Sequence, residues 1–444
     1  PMPREAFMRF CSARPCRVCI GVYILVAAVA VSTVTWPAEP SSGGATPGEP
    51  VGELTLKRAI EAALTRNPDL AASAYELKAA DARIAQARLR PNPEMSVELE
   101  NFAGSDAAQG ADALESTLSL SQVIELGGKR LLRADLAMRD RDVVGIERQA
   151  QQLDVLAEVT RRFIALVAAQ DRVVLARNTK ELAQRTLDAI ATRVQAARSP
   201  EAEGSRARIA LTRARVEEQQ AQSELRGARL ALAALWGSYE PAFTEATADL
   251  FTLEAVKPFE ILVAQLERNP DFVRFASEAR LREGELRLAR AQARPNLTFG
   301  IGVRRFDETN DTALVAGFSM PLPAFDRNQG AIREAEMRLA QTDAARVAAF
   351  VRARAAVFGL YQELLASRTR LETLRSDALR QAQQALEQTQ FGYERGRFSY
   401  LELSTAQQEL LELRAAIIEA AADYHRLLAE IERLPGEPLS APPR

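Results

Sequence analysis

Along most of this chain apolar residues return every third or fourth position, and the two steps alternate with little interruption. The pattern is cleanest near the end, where Leu403, Ala406, Leu410, Leu413, Ile417, Ala420, Tyr424, Leu427, Ile431 and Leu434 hold one register. Such a stripe is the seam of a coiled coil, and a helix carrying one narrow apolar stripe needs a partner helix along its length. Just before it, Phe391-Gly-Tyr-Glu-Arg-Gly-Arg-Phe-Ser399 sets two glycines inside an otherwise helical pattern, which reads as a turn between helices.

The arrangement occurs twice. Leu211, Ala214, Glu218, Ala221, Leu225, Ala228, Leu232 and Leu235 occupy the same register, with Glu218 as the one polar position. Ala197-Arg-Ser199 aligns with Arg397-Phe-Ser399, and Leu64-Thr-Arg-Asn-Pro-Asp69 with Leu266-Glu-Arg-Asn-Pro-Asp271. Gln86-Ala-Arg-Leu-Arg-Pro-Asn92 aligns with Gln292-Ala-Arg-Pro-Asn296. Proline-anchored matches in the same order point to one duplicated unit of about 200 residues. The units span residues 54–237 and 259–434, joined by a mixed segment, 238–258.

Each unit opens with helical pattern, and Asn67 before Pro68 reads as the N-cap of a second helix. Strict alternation follows in Met95-Ser-Val-Glu-Leu-Glu100 and from Leu114 to Ser121, around a Gly/Asp/Ala loop from Gly104 to Asp112. This predicts a β-hairpin over 94–122, and a second over 296–320 around the polar loop Asp307–Asp311. About ten residues per strand can cross a hydrocarbon core when tilted. Four strands cannot close a barrel alone, so membrane insertion requires oligomerisation, and three copies would supply about twelve strands. On one parity Ser96, Glu98, Glu100, Thr117 and Ser119 would line a watery lumen, with Met95, Val97, Leu99, Leu118 and Leu120 facing lipid. The competing reading is a pair of surface hairpins on a soluble helical protein.

The remaining pattern predicts a long helical hairpin over 128–236 and its twin over 328–434. Leu156, Phe163, Val167 and Val174 hold the first seam; Val357, Leu360, Leu364, Leu371, Leu374 and Ala378 hold the second. A proline-free helix of roughly seventy residues is a rod on the order of 100 Å. The expected class is mainly α with a small β part.

Composition narrows the function. The chain has 444 residues, a net charge of -2 and 6% aromatics, so there is no basic excess and no stacking cluster for nucleic acid. All three cysteines, Cys11, Cys16 and Cys19, lie at the start, which leaves the body without a disulfide framework or thiolate metal site. The single histidine, His425, reads as a solvated helix position beside Tyr424. No catalytic set, cofactor site or resident metal site is expected. Residues 1–36 read as a secretory signal with Ala28-Val-Ala30 as one cleavage site, a transmembrane anchor being the alternative. Residues 37–53 read as a linker and 435–444 as a flexible tail. Glu203 and Glu402 each fall just past a helical turn. Repeated around a symmetric assembly they could filter cations at an aperture; equally, they could stabilise a helix N-terminus through the macrodipole.

The duplicated order of helices, hairpin and long helices resembles the TolC-like outer-membrane factors of efflux systems, over Leu54 to Leu434. Tyr393-Glu-Arg-Gly-Arg-Phe-Ser-Tyr-Leu-Glu-Leu403 is similar to that family's signature at the second helical turn. The first turn departs from it, with Ala197 where glycine is common and Pro200 nearby. Asn92-Pro-Glu-Met-Ser-Val-Glu-Leu-Glu-Asn-Phe-Ala-Gly104 and Leu120-Ser-Gln-Val-Ile-Glu-Leu-Gly-Gly-Lys-Arg130 resemble the cobalt-zinc-cadmium efflux branch. The resemblance implies a homotrimer with a twelve-stranded outer-membrane β-barrel and a twelve-helix periplasmic tunnel. It implies a periplasmic adaptor and a proton-driven inner-membrane pump of the resistance-nodulation-division (RND) type as partners. Ala197, Arg198, Ser199, Gly396, Arg397 and Ser399 would then meet the adaptor at the tunnel tip. Glu402 takes one acidic position of the tip, while Thr405 stands where a second acid is frequent. The chain would be a passive conduit for divalent heavy-metal cations. Drug efflux or type I protein secretion on the same fold, and a periplasmic coiled-coil scaffold, remain the alternatives.

Overall fold

Two Asn-Pro steps show how the duplicated sequence becomes duplicated structure. In this computed structural model, which describes residues 48–103, 105 and 112–434, helix α1 (Leu56–Arg66) gives way at Asn67 to α2 (Pro68–Ala87). The Asn67 side-chain oxygen accepts from the backbone N–H of Asp69 (2.9 Å) and Leu70 (3.0 Å), satisfying donors that every helix start leaves open. Its amide donates to the Leu235 carbonyl at 2.8 Å. In the second unit α5 (Phe259–Leu266) precedes α6 (Pro270–Gln292), and Asn269 accepts from Asp271 N–H (2.7 Å) while donating to the Leu434 carbonyl (2.6 Å). Each Asn therefore caps a short helix and pins it to the end of its own unit's long hairpin. The expected leader 1–36, residues 37–47, most of the loop 104–112 and the tail 435–444 lie outside the described residues.

The four hairpin strands form one sheet. Strands β2 (Glu94–Glu100), β3 (Glu115–Ile124), β5 (Leu297–Phe306) and β6 (Asp311–Ser319) run antiparallel in the order β2-β3-β5-β6. The hairpins, one from each unit, are joined by β3 and β5, in register from Glu115 opposite Phe306 to Ile124 opposite Leu297. β2 and β6 are left as open edges.

The rods are α3 (Lys129–Gln195) with α4 (Glu201–Ala233), and α7 (Gln329–Thr373) continued by α8 (Leu379–Glu394) with α9 (Tyr400–Arg433). Nearest the sheet the packing order is α2-α3-α6-α7; towards the far end it is α4-α3-α9-α8. Only α3 belongs to both layers along its whole length. Its twin is interrupted at Leu374–Ala378 by one π-helical turn, which the sequence pattern read as continuous. Among the described residues no helix is long and apolar enough to cross a membrane.

Four expectations change in detail. Val174 is exposed and Val173 buried, because α3 at this level is packed on several sides and a single seam no longer describes it. Glu218, the polar entry in the α4 seam, is matched by Lys180 at 2.6 Å. Gly52 and Glu53, expected as linker, form with Leu54 strand β1 (Gly52–Leu54), paired in parallel with β4 (Phe243–Ala246). His425 is not solvated: its Nε2 lies 2.9 Å from the Leu250 carbonyl, and burial pushes its pKa below the usual value. The segment from Leu250 onward wraps over α9 there, with Tyr424 Oη donating to the Glu254 carbonyl at 2.7 Å.

Candidate functional site

The far ends of the two long hairpins carry the densest polar geometry. At the first turn Ala197 takes the left-handed conformation (φ 56°), its N–H bonding the Val194 carbonyl (2.9 Å) and the Arg198 N–H the Arg193 carbonyl (2.8 Å). At the second, Gly396 is left-handed (φ 74°), with Gly396 N–H to Tyr393 (3.0 Å) and Arg397 N–H to Gly392 (2.8 Å). Both are Schellman closures. The structure thus pairs Ala197 with Gly396 and Arg198 with Arg397. The sequence match of Ala197-Arg-Ser199 to Arg397-Phe-Ser399 is one residue out; the counterpart of Ser399 is Pro200.

The helices restart differently. Ser399 caps α9 in a capping box: its Oγ accepts from Glu402 N–H (3.3 Å), while its own N–H donates back to the Glu402 carboxylate (2.7 Å). These bonds from the Ser399 backbone and hydroxyl hold the Glu402 carboxyl below its usual value. Pro200 offers α4 no side-chain cap. Glu203, at the position in α4 that Glu402 holds in α9, is half-buried with one carboxylate oxygen fully covered. It sits near Tyr393 and Tyr400, whose phenols are pushed up by burial first and by the Glu203 charge in addition. The two aperture candidates are equivalent in place and unlike in environment.

One residue missed in the sequence ties the turns together. The Arg193 guanidinium lies 4.6 Å from the Tyr393 ring centroid, within cation–π range. Its Nη1 donates to the Tyr393 carbonyl (3.2 Å) and its Nε to the Ser199 hydroxyl (3.3 Å). Ile190, Ala207, Tyr393, Tyr400 and Leu403 close a small apolar cluster beneath this clasp. Arg193 carries no sequence signal, since an arginine in a last helical turn is ordinary. Its counterpart is Gly392, and a Cβ there would come within 2.1 Å of the Phe398 ring. Ala197, Arg198, Gly396, Arg397 and Ser399 sit on or beside the turns; only Ser199 and Glu203 join the Arg193–Tyr393 group.

At the other end the sheet has two chemically distinct faces. Met95, Val97, Leu118, Leu120, Ile301 and Leu314 share one face, and all are exposed, Leu314 at 88% and Met95 at 74%. The opposite face carries Ser96, Glu98, Glu100, Thr117 and Ser119, with Glu98 opposite Thr117 across the strands. Arg304 organises this polar face, bonding Glu100 and Glu115 at 3.0 Å each and the Thr117 hydroxyl at 2.9 Å. Thr117 is consequently buried, at 6% exposure, whereas Glu98 stays open.

The Gly127-Gly-Lys-Arg130 segment forms the joint between sheet and rods. Lys129 Nζ donates to the Arg294 carbonyl and to Asn296 Oδ1, both at 2.6 Å, reaching from the first unit into the second. Gly127 is left-handed (φ 77°), and a Cβ there would meet the Arg294 side chain at 2.9 Å. Among the described residues no group of three or more His, Cys, Asp or Glu side chains could hold a metal ion.

Comparison with known proteins gives this geometry a context. The profile of the outer membrane efflux protein family matches residues 59–238 and 261–437. The chain is 32% identical over 394 residues to the cobalt-zinc-cadmium resistance protein CzcC of Cupriavidus metallidurans, covering 88% of this chain and 92% of that one. It is 27% identical over 285 residues to the nickel and cobalt resistance protein CnrC of the same organism, covering 64% and 67%. Among solved structures, that of CusC, described as forming a transmembrane channel, superposes with a TM-score of 0.72 at 18% identity. It covers 85% of this chain and 91% of the other.

Proposed function

Since the chain belongs to the outer membrane efflux protein family, we propose that it is the outer-membrane channel subunit of a tripartite heavy-metal exporter. Efflux, the outer membrane and the absence of enzymatic activity follow from the family. The cargo is our reading: divalent cations of the cobalt, zinc and cadmium class. The observation that carries it is the 32% identity to a cobalt-zinc-cadmium resistance protein over 88% of the chain. The sheet-to-rod joint at Lys129, whose sequence resembles that branch, adds to it.

A homotrimer is supported by the edges the fold leaves open. Each layer ends in one element from each unit: β2 and β6 in the sheet, α2 and α7 above, α4 and α8 below. A head-to-tail ring satisfies all three layers at once. An open sheet edge in lipid is untenable, whereas three copies of four strands make about twelve, a normal barrel count. The exposed apolar sheet face then meets lipid. The face with Glu98, Glu100 and Glu115 against Arg304 lines the lumen, giving cations a path with excess negative charge.

The chain is a passive conduit. Among the described residues no metal-holding cluster stands out, and on this reading the driving force comes from an RND pump of the inner membrane through a periplasmic adaptor. The turns at Ala197–Ser199 and Gly396–Ser399 meet the adaptor. The Arg193–Tyr393 clasp holds the two turns of each copy together at rest, and moving it opens the tip.

The test is tolerance of the source cell to zinc, cobalt and cadmium, with and without this gene, beside a drug panel. Selective loss of metal tolerance is expected. Unchanged metal tolerance with altered drug or protein export would overturn the cargo while leaving the channel.

A further inference from the structure

On the polar face of the sheet two carboxylates stand directly opposite each other: Glu100 on β2 is the register partner of Glu115 on β3. Like charges in that relation repel. Their counter-charge comes from the other structural unit. Arg304 on β5 is the register partner of Thr117, and its side chain crosses β3 to reach both glutamates. Each guanidinium nitrogen has its own oxygen. Nε donates to the Thr117 hydroxyl (2.9 Å), Nη1 donates to Glu115 Oε2 (3.0 Å), and Nη2 pairs with Glu100 Oε2 (3.0 Å). The second Glu115 oxygen accepts from the Asn101 amide (3.2 Å). The Glu100 oxygen that faces Arg304 is fully covered, so water cannot screen it and a buried charge there needs a cation.

The other glutamates of this face stand in a different relation. Glu98 lies opposite Thr117 and Glu94 opposite Ser121, neither with a second carboxylate across from it, and both are exposed. The face therefore leaves its lone carboxylates bare and neutralises only the opposed pair. A lone carboxylate attracts a passing cation and releases it. Two opposed across one pair of strands offer oxygen donors to a divalent cation from both sides, and affinity rises with the number of charged ligands.

We infer that Arg304 is a tethered counter-cation: it fills the bite between Glu100 and Glu115, so that the wall attracts exported divalent cations without holding them. The inference rests on reading this face as the lumen and adds a specificity-determining residue to it. A conduit must let its cargo leave as readily as it enters, so a strong site in the wall would become a plug. The guanidinium competes with every arriving cation at the high effective concentration its tether sets. It also keeps its charge at any pH the outer membrane meets, which a histidine or a second carboxylate would not do. Arginine suits the task because its planar fork reaches Thr117 and both glutamates at once.

The test is cadmium binding to the purified full-length protein by isothermal titration calorimetry, native against Arg304→Gln. The variant is expected to take up about one cadmium ion per chain, with an affinity at least about tenfold above the native protein. Adding Glu100→Gln and Glu115→Gln should abolish the gain. Arg304→Lys keeps the charge but cannot span both carboxylates, so it should gain several-fold; it carries the test if the glutamine variant fails to assemble. An arginine that only stitches β5 to β3 predicts lower thermal stability with cadmium binding unchanged in both variants, and that result overturns the inference. A gain that survives the loss of both glutamates overturns it too, as does a native protein that binds as tightly as the variants. In cells with equal outer-membrane levels, Arg304→Gln is expected to lose cadmium tolerance and the triple variant to regain it. Binding gained in the purified protein with tolerance unchanged in cells would take the pair off the exit path, and so overturn the lumen reading on which the inference rests.

Discussion

The two turns at the far end are one backbone solution reached by two sequences. Both close with a left-handed residue and the same pair of hydrogen bonds. The first does it with Ala197 and restarts at Pro200 without a side-chain cap; the second uses Gly396 and a full Ser399–Glu402 capping box. The first turn is the weaker by itself, and its own Arg193 and Glu203 reach across to Tyr393 and Tyr400 of the second hairpin. The second is complete on its own. A turn that depends on its neighbour is one that a partner can release, so on the proposed reading the first turn would be the moving part of the clasp.

The largest effect is expected from removing the tie. Arg193→Ala loses a cation–π contact and two hydrogen bonds, about 2 kcal/mol together. Cells carrying it should become sensitive to large hydrophilic antibiotics, because the tip no longer stays shut. Arg193→Lys should restore the charge and only part of the effect, since lysine cannot make both hydrogen bonds in the plane of a guanidinium.

A smaller effect should expose the unequal backbones. Ala197→Gly relieves a left-handed alanine and should stabilise the first turn by about 1 kcal/mol, whereas Gly396→Ala should cost the second about as much. Amide hydrogen exchange at the two turns reads the difference, and equal responses would remove the asymmetry.

Acid should separate them as well. The Glu402 carboxyl is held below its usual value by Ser399, so its bonds stabilise the folded turn above the unfolded carboxylate value. That contribution is lost as pH falls through the lowered folded value. Protection of the first turn of α9, measured against the intrinsic exchange rate at each pH, should therefore fall in acid, and Ser399→Ala, costing about 1 kcal/mol, should abolish that pH response. The smallest effect is on transport: Glu402→Ala should still export metal, because the residue caps a helix. Complete loss of tolerance with normal assembly would make it an aperture residue instead.

Much of this was legible in the chain. Period-two alternation marked four strands and their faces, since alternate residues must point oppositely, and the heptads of α9 placed Leu403, Leu410, Ile417 and Tyr424 in the core. Asn-Pro repeats marked the caps. Contacts between units were not legible. Nothing local tells Arg193 that it will meet Tyr393, or Arg304 that it will bury Thr117 between two glutamates. The π-helical turn at Leu374–Ala378 was hidden because its residues fit an α-helical seam equally well. His425 looked solvated because the segment that covers it, around Leu250, lies in the mixed stretch between the units.

The central claim, a channel kept shut by a clasp between its two units, is tested most directly by conductance of the purified protein in planar bilayers. The native protein should show small, rarely open channels, and Arg193→Ala large and persistent ones. Equal conductance of the two, with both proteins trimeric, would contradict the account.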